Sequence, residues 1–371
     1  MELNSQQKEM IRVCQEHFAE GRNTTVSGVA GSGKSSCVEV LIEKLGLDLE
    51  NEVVYLAPTG KAAQVLRGKG LPAITAHKFV FRSFQTADGT YGRMKKTEMP
   101  EGIKLIVVDE SSMLSKRELD ILLELTEKAK TPIIFLGDHM QLPPLFGSNG
   151  IMDEPDVILT KVERQKEGCL LDFINEVREG NDITDCINFT TELSDELLMD
   201  GDVIVCGTNK TRQFINSRIR EYKGYDSVVP NPGEKLVCKT NNWDFEEPLV
   251  NGLILEVLEA HESQVQGNGD KMLKVIIATL RSETGFVYEN VMIDYRNLED
   301  ESEQPFTAWS EKPAAKFAWG YCITVHASQG SQWNRVIVVE ERFPYAKAIH
   351  QKHLYTAVSR AIHQCVVCRI Y

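Results

Sequence analysis

The segment Gly28-Val29-Ala30-Gly31-Ser32-Gly33-Lys34-Ser35 fits the spacing G-x-x-x-x-G-K-[ST] of a phosphate-binding loop. Its residue types dictate the chemistry. Glycines at Gly28, Gly31 and Gly33 let backbone N–H groups, with those of Ala30 and Ser32, close around an anion at a helix N-terminus. Lys34 carries the ammonium that reaches the β/γ oxygens, and Ser35 carries a hydroxyl suited to Mg²⁺. Farther along, the apolar run from Leu105 to Val108 ends in Asp109 and Glu110. Such a pair after a strand is ordinarily a solvated loop. Following a phosphate loop, it divides the work: Asp109 holds Mg²⁺, and Glu110 orients and deprotonates an attacking water. The two segments predict a nucleoside triphosphatase and leave its task open.

These groups must be presented at strand ends. Short β-branched runs at Thr24 to Ser27, Glu52 to Ala57, Leu105 to Asp109 and Pro132 to Gly137 alternate with amphipathic stretches, the pattern of a parallel sheet covered by helices on both faces. The alternation resumes with strands at Asp202 to Cys206, Trp319 to Ile323, Arg335 to Val339 and Gln364 to Ile370, and helices near Asn209 to Tyr222 and Ala346 to Arg360. The chain therefore reads as two α/β lobes, the first over 1–80 and 103–150, the second over 151–231 and 317–371. Turn signals between Phe81 and Gly102 predict a β-hairpin insert over 81–102. Successive strands from Lys235 to Ile293 predict a small β-barrel insert over 232–316.

A chain of 371 residues, 42% of them hydrophobic, can bury a sizeable core and fill two or three domains. No run reaches the ~18–20 apolar residues of a membrane span, and Met1 to Met10 carries no signal-like core. A soluble cytoplasmic protein without a membrane partner is expected. The nine cysteines fall mostly in apolar runs, as buried thiols of a reducing compartment. The net charge of -13 argues against coating nucleic acid by bulk positive potential.

Further segments occur in order: Leu3-Asn4-Ser5-Gln6-Gln7, Ala57-Pro58-Thr59-Gly60-Lys61-Ala62-Ala63, Thr75-Ala76-His77, Gly137-Asp138-His139-Met140-Gln141-Leu142-Pro143-Pro144, Val250-Asn251-Gly252, Ile323-Thr324-Val325-His326-Ala327-Ser328-Gln329-Gly330 and Tyr355-Thr356-Ala357-Val358-Ser359-Arg360-Ala361. Together they resemble the superfamily 1 helicases, in particular the B branch of RecD-like and Dda-like enzymes, from Leu3 to Ala361. The resemblance implies two RecA-like lobes, ATP and Mg²⁺ as cofactors, and 5′→3′ movement on single-stranded DNA with opening of forked or tailed duplex. It implies a monomer-competent motor that could meet single-strand-binding, replication or recombination proteins.

Residue by residue, the resemblance implies that Gln7 reads the adenine edge, a surface glutamine being the alternative. Gln141 would sense the γ-phosphate, with Gln329 and Gly330 facing the nucleotide from the second lobe. Arg164 and Arg360 would neutralise charge on the transferred phosphoryl group, although Arg164 could also serve a surface salt bridge. The DNA track would comprise Pro58, Thr59, Lys61, Thr75 and His77 on the first lobe and Asn251, Thr324, His326 and Ser328 on the second. Phe79, Phe81 and Phe84 could stack on bases or belong to the core. A track of hydroxyls and amides positions a strand without reading its sequence, and it releases phosphates easily under an acidic exterior. At Ala327 relatives usually carry lysine, so one expected phosphate contact or lobe-closing cation is absent. Two alternatives stay open: a translocase that displaces proteins without processive unwinding, and a nucleotide-gated DNA-loading factor. The set Glu110, Arg164 and Arg360 speaks against the second.

Cys365-Val366-Val367-Cys368 has zinc-like spacing, but residues i and i+3 of a strand point to opposite faces, so buried thiols are expected. Trp309, Trp319 and Trp333 lie in apolar contexts that suggest packing.

Overall fold

The computed structural model describes residues 3–85, 91–143, 148–162, 168–242, 245–266, 272–299, 314–342 and 347–371. The chain divides into two compact units, Met1–Ile183 with Tyr345–Ser359, and Thr184–Pro344 with Arg360–Tyr371.

The first unit begins with helix α1 (Ser5–Ala19), strand β1 (Thr24–Gly28), α2 (Lys34–Leu45), β2 (Val53–Ala57), α3 (Gly60–Gly68), β3 (Ala73–Thr75) and α4 (Ala76–Val80). The hairpin strands β4 (Phe81–Gln85) and β5 (Tyr91–Lys95) follow, then β6 (Leu105–Val108), α5 (Lys116–Ala129), β7 (Ile133–Gly137), β8 (Val157–Leu159) and α6 (Cys169–Glu179). Six strands form one sheet in the order β3-β2-β6-β7-β1-β8, and every pairing is parallel. The strands are buried on both faces because successive side chains enter different cores. Tyr55, Val107 and Leu136 pack with Met10, Val38 and Leu41 of α1 and α2, whereas Leu56, Ile106 and Phe135 pack with Leu119, Leu122 and Leu125 of α5. Capping boxes start α1 at Asn4 with Gln7, and α5 at Ser115 with Glu118, satisfying backbone donors that would otherwise lack partners.

β4 and β5 pair antiparallel from Phe81↔Lys95 to Gln85↔Tyr91. The hairpin grows from α4, and Phe79 and Phe81 sink into the core beneath it, with Phe81 only 9% exposed. Of the two readings left open for Phe81, stacking on bases or core packing, its burial favours the core: its ring lies against His77, 4.6 Å between centroids, with the Arg117 guanidinium 5.2 Å away. The Phe84 side chain lies outside the described residues.

The second unit contains β9 (Phe189–Thr190), α7 (Asp195–Met199), β10 (Val203–Cys206), α8 (Asn209–Tyr222), β11 (Lys235–Cys238), β12 (Ile254–Gln266), β13 (Met272–Ser282), β14 (Val287–Ile293), α9 (Arg296–Glu299), β15 (Phe317–Trp319), β16 (Cys322–Thr324), α10 (Val325–Ser328), β17 (Trp333–Glu340) and β18 (Ala361–Arg369). One parallel sheet has the order β16-β10-β17-β18-β9, and an antiparallel sheet has the order β14-β13-β12-β11-β15. The edges of the second sheet meet where Ile293 bridges Ala315, a barrel-like closure around Leu255, Ile276, Leu280, Tyr288 and Phe317.

Some boundaries differ from the sequence reading. Val157–Leu159, expected in the second lobe, pairs with β1, and the Asp156 carboxylate accepts from the Thr25 N–H at 2.7 Å and hydroxyl at 2.8 Å. The helix Lys347–Val358, labelled α11, also belongs to the first unit. The apolar run expected as one strand from Trp319 to Ile323 divides between sheets at Gly320. A Cβ at Gly320 would lie 3.0 Å from the carbonyl carbon of Leu236, so the close turn there favours glycine.

Candidate active site

In the first unit, the candidate chemical groups collect at the C-terminal ends of parallel strands. Gly28 ends β1, Pro58 and Thr59 follow β2, Thr75 ends β3, Asp109 and Glu110 follow β6, and Asp138 to Gln141 follow β7. The strand order reverses around β1, the place where open α/β sheets leave a crevice for ligands.

The phosphate loop leaves β1 with the Val29 N–H bonded to the Leu159 carbonyl at 3.1 Å, then turns through the Ser32 N–H to the Val29 carbonyl at 3.1 Å. Close contacts favour glycine at two positions of the loop. A Cβ at Gly28 would meet Ser32 Oγ at 2.6 Å, and one at Gly33, where φ is +81°, would meet Gln7 Nε2 at 2.7 Å. The Lys34 ammonium turns back onto the carbonyls of Gly28 and Val29. The Ser32 hydroxyl is buried and has no hydrogen-bond partner among the described residues. Such an orphan suits a loop built for a polar ligand.

Gln7 touches this loop directly. Its side-chain N–H donates to the Ser32 carbonyl at 3.1 Å, while its side-chain oxygen accepts the Asn4 N–H at 3.0 Å. The expected adenine reader is therefore also a strut between α1 and the loop.

Asp109 accepts the Glu110 N–H at 2.9 Å. Burial raises its carboxyl above the ordinary value, and the Lys34 ammonium and that N–H pull the other way. An enclosed carboxylate just beyond β6 that feels the Lys34 charge, together with the Ser35 hydroxyl of the phosphate-loop segment, is a hard-oxygen donor set suited to Mg²⁺. Glu110 adopts left-handed backbone angles, φ 48° and ψ 41°, a strained state of order 1–3 kcal/mol for a non-glycine residue. The turn after it is pinned: the Ser111 hydroxyl donates to the Leu136 carbonyl at 2.9 Å, and Asn149 Nδ2 donates to the carbonyls of Ser111 at 2.9 Å and Leu114 at 3.0 Å. Asn149 carried no sequence signal, because its partners lie in a distant segment.

Gln141 is 5% exposed, and its side-chain oxygen has no partner among the described residues. Its Nε2 reaches Asp138 Oδ2 at a weak 3.4 Å. Arg164 lies outside the described residues.

The expected track residues divide by burial. Thr59 and Thr75 cap the helices that follow them, accepting from the N–H groups of Ala62 at 3.1 Å and Lys78 at 3.2 Å; both stay partly exposed, as do Pro58 and His77. Lys61, expected on an open track, is instead only 4% exposed within the buried run Lys61, Ala62, Ala63 and Gln64 of α3. In the second unit, Thr324 caps α10, and His326 and Asn251 retain exposed surface. Ser328 is fully buried, and its hydroxyl donates to the Val325 carbonyl at 2.7 Å, so a short turn uses the group expected to meet phosphate. That unit also joins Arg360 to the loop carrying Gln329 and Gly330, through Arg360 Nη1 and the Ser331 carbonyl at 3.4 Å.

Cys365 and Cys368 are buried thiols, and no group of three or more potential His, Cys, Asp or Glu metal ligands occurs among the described residues. Trp319 and Trp333 are buried, whereas Trp309 lies outside the described residues. None of the described helices is long and apolar enough to cross a membrane.

Comparison with known proteins gives a consistent assignment. The AAA domain family matches residues 2–192, just over half of the chain, and the UvrD-like helicase C-terminal domain matches residues 320–368. The ATP-dependent RecD2 DNA helicase of Deinococcus radiodurans is 25% identical, the alignment covering 93% of this chain and 47% of that protein. The chain spans less than half the length of the curated relatives it matches. Bacteroides Pif1 bound to single-stranded DNA has the same fold, with a TM-score of 0.61 at 19% identity over 99% of this chain and 92% of that one. Pif1 helicase from Candida albicans gives 0.58 at 17% identity over 99% and 94%. The two parallel-sheet units are RecA-like lobes, and the chain belongs to the superfamily 1 helicases of the RecD/Pif1 type.

Proposed function

We propose that the protein is an ATP-driven motor that moves 5′→3′ along single-stranded DNA and opens forked or tailed duplex. The observation that carries this reading is the placement of the phosphate loop, Asp109, Glu110 and Gln141 along one sheet edge that also presents Pro58, Thr59 and Thr75. In this reading Lys34 leaves the loop carbonyls for the terminal phosphates. Glu110 takes the proton of the attacking water, and Gln141 turns its unpaired oxygen toward the reacting phosphoryl group. Ser35 and Asp109 would hold Mg²⁺, which supplies positive charge to the β and γ oxygens. By resemblance alone, Arg164 and Arg360 would oppose the charge that develops in transfer. Release of the γ-phosphate provides a two-state switch for movement.

Support comes from relatives described as an ATP-dependent DNA helicase and as Pif1 bound to single-stranded DNA. Partly exposed hydroxyls and imidazoles are track groups that hold a backbone without selecting sequence. The test uses duplexes with a single 5′ or 3′ tail. ATP turnover should rise with single strands of any sequence, and only the 5′-tailed duplex should be opened. Turnover indifferent to DNA, or opening confined to 3′ tails, contradicts the proposal.

A further inference from the structure

Helix α11 is fastened to the loop that carries Gln141 by three side chains on one face. Lys352 Nζ donates to the His139 carbonyl at 2.8 Å, the Leu142 N–H donates to the Thr356 hydroxyl at 2.9 Å, and the Tyr355 hydroxyl donates to Asp138 Oδ2 at 2.9 Å. The last contact takes the same carboxylate oxygen that Gln141 Nε2 reaches at 3.4 Å. Tyr355 is 1% exposed. Burial, then the neighbouring Asp138 charge, keep its phenol protonated, and the backbone N–H of Ala30 in the phosphate loop faces the same oxygen. One hydroxyl thus meets the phosphate loop and the carboxylate that restrains Gln141.

The chain beyond this node is equally fixed. The Ser359 N–H donates to the Tyr355 carbonyl at 3.0 Å, and the Ser359 hydroxyl donates to the Thr356 carbonyl at 2.9 Å.

We propose that Tyr355 is a positioning residue for ATP hydrolysis: its hydroxyl sets Asp138, and through Asp138 the freedom of Gln141, while bonding the phosphate loop to α11. This rests on the ATP-hydrolysing reading above. With Tyr355 in place, Asp138 is held by the shorter bond, and Gln141 keeps only the longer, weaker one. Gln141 is then free to turn toward a phosphoryl group at little cost. Without the hydroxyl, Gln141 becomes the carboxylate's better donor and is drawn away from the nucleotide.

The experiment compares wild type, Tyr355→Phe, Gln141→Ala and the double variant in DNA-stimulated ATP turnover, with binding of a fluorescent, non-hydrolysable ATP analogue measured on each. Phenylalanine retains the buried ring, so analogue binding should persist. Tyr355→Phe should lower kcat about tenfold and change KM by no more than about threefold. It should cause no further loss where Gln141 is already alanine, because the two residues act as one unit. A merely structural role would instead reduce binding and add to the Gln141→Ala loss. Unchanged kcat, an effect confined to KM, lost analogue binding, or multiplying losses in the double variant each overturn the role of Tyr355 while turnover by wild type stands. Absence of ATP turnover in wild type overturns the underlying reading and this inference with it.

Discussion

The Gln7 side-chain amide donates to the Ser32 carbonyl at 3.1 Å, joining the first turn of α1 to the phosphate loop. The same side chain completes the Asn4 capping box. Loop shape and helix start therefore depend on one glutamine, whose position is further constrained by the missing Cβ of Gly33.

Replacing that amide nitrogen with oxygen, as in Gln7→Glu, leaves an acceptor facing the Ser32 carbonyl while the cap can still form. The KM values for ATP and GTP should rise together, by roughly tenfold, as expected for one lost hydrogen bond replaced by repulsion. Steady-state kinetics with both nucleotides checks this; a rise for ATP alone would identify Gln7 as a base reader rather than a strut.

The Lys34 ammonium is bonded to carbonyls of its own loop, Gly28 and Val29. Lys34→Ala should abolish ATP hydrolysis and leave the thermal unfolding midpoint near that of wild type, since no core contact is lost. Turnover close to normal in the folded variant would remove Lys34 from the site.

Glu110 stands on a strained residue pinned through Ser111 and Asn149. Glu110→Gln keeps side-chain size and should retain ATP binding while lowering hydrolysis by ~10²–10⁴-fold, the range for losing a general base. Single-turnover hydrolysis with bound labelled ATP separates the two steps, and an unchanged rate would assign the proton to another group.

The legible parts of the fold were those written locally. The phosphate loop and the Asp109-Glu110 pair are contiguous, and their glycine, lysine and carboxylate types follow from phosphate chemistry. A strand of three residues, such as Val157–Leu159, is too short to display a period. The division at Gly320 lies within one apolar run, so hydropathy cannot show the chain changing sheets. Burial of Lys61 and Ser328 depends on what packs around their turns, which composition does not encode. The bond between Tyr355 and Asp138 joins residues 217 positions apart.

Burial lowers the pKa of His326 from its ordinary 6.5. Between the lowered value and the ordinary one, the unfolded chain binds more protons than the folded protein, so stability falls as pH drops below about 6.5 and is recovered above it. His326→Gln should flatten this part of the stability curve. Unfolding midpoints of both proteins between about pH 5 and about pH 8 test the sign; parallel curves would show that this imidazole does not contribute.

Ala327 is partly exposed in α10, and its N–H donates to the Thr324 hydroxyl at 3.4 Å. A lysine there can run its stem along the surface and keep its ammonium in water. Ala327→Lys should therefore fold normally and tighten single-stranded DNA binding, by adding a cation beside the partly exposed Thr324 and His326. If that ammonium meets a phosphate, the slope of log affinity against log salt should steepen by ~0.7, the increment for one more single-strand phosphate contact. ATP turnover at saturating DNA should stay close to wild type, because no nucleotide-binding group is altered. Were position 327 to act on the nucleotide cycle instead, turnover would shift while the salt slope stayed put. Titrating DNA at several salt concentrations and measuring turnover on the same preparation separates these cases. An unchanged slope with unchanged turnover would place residue 327 outside both the DNA track and the nucleotide cycle.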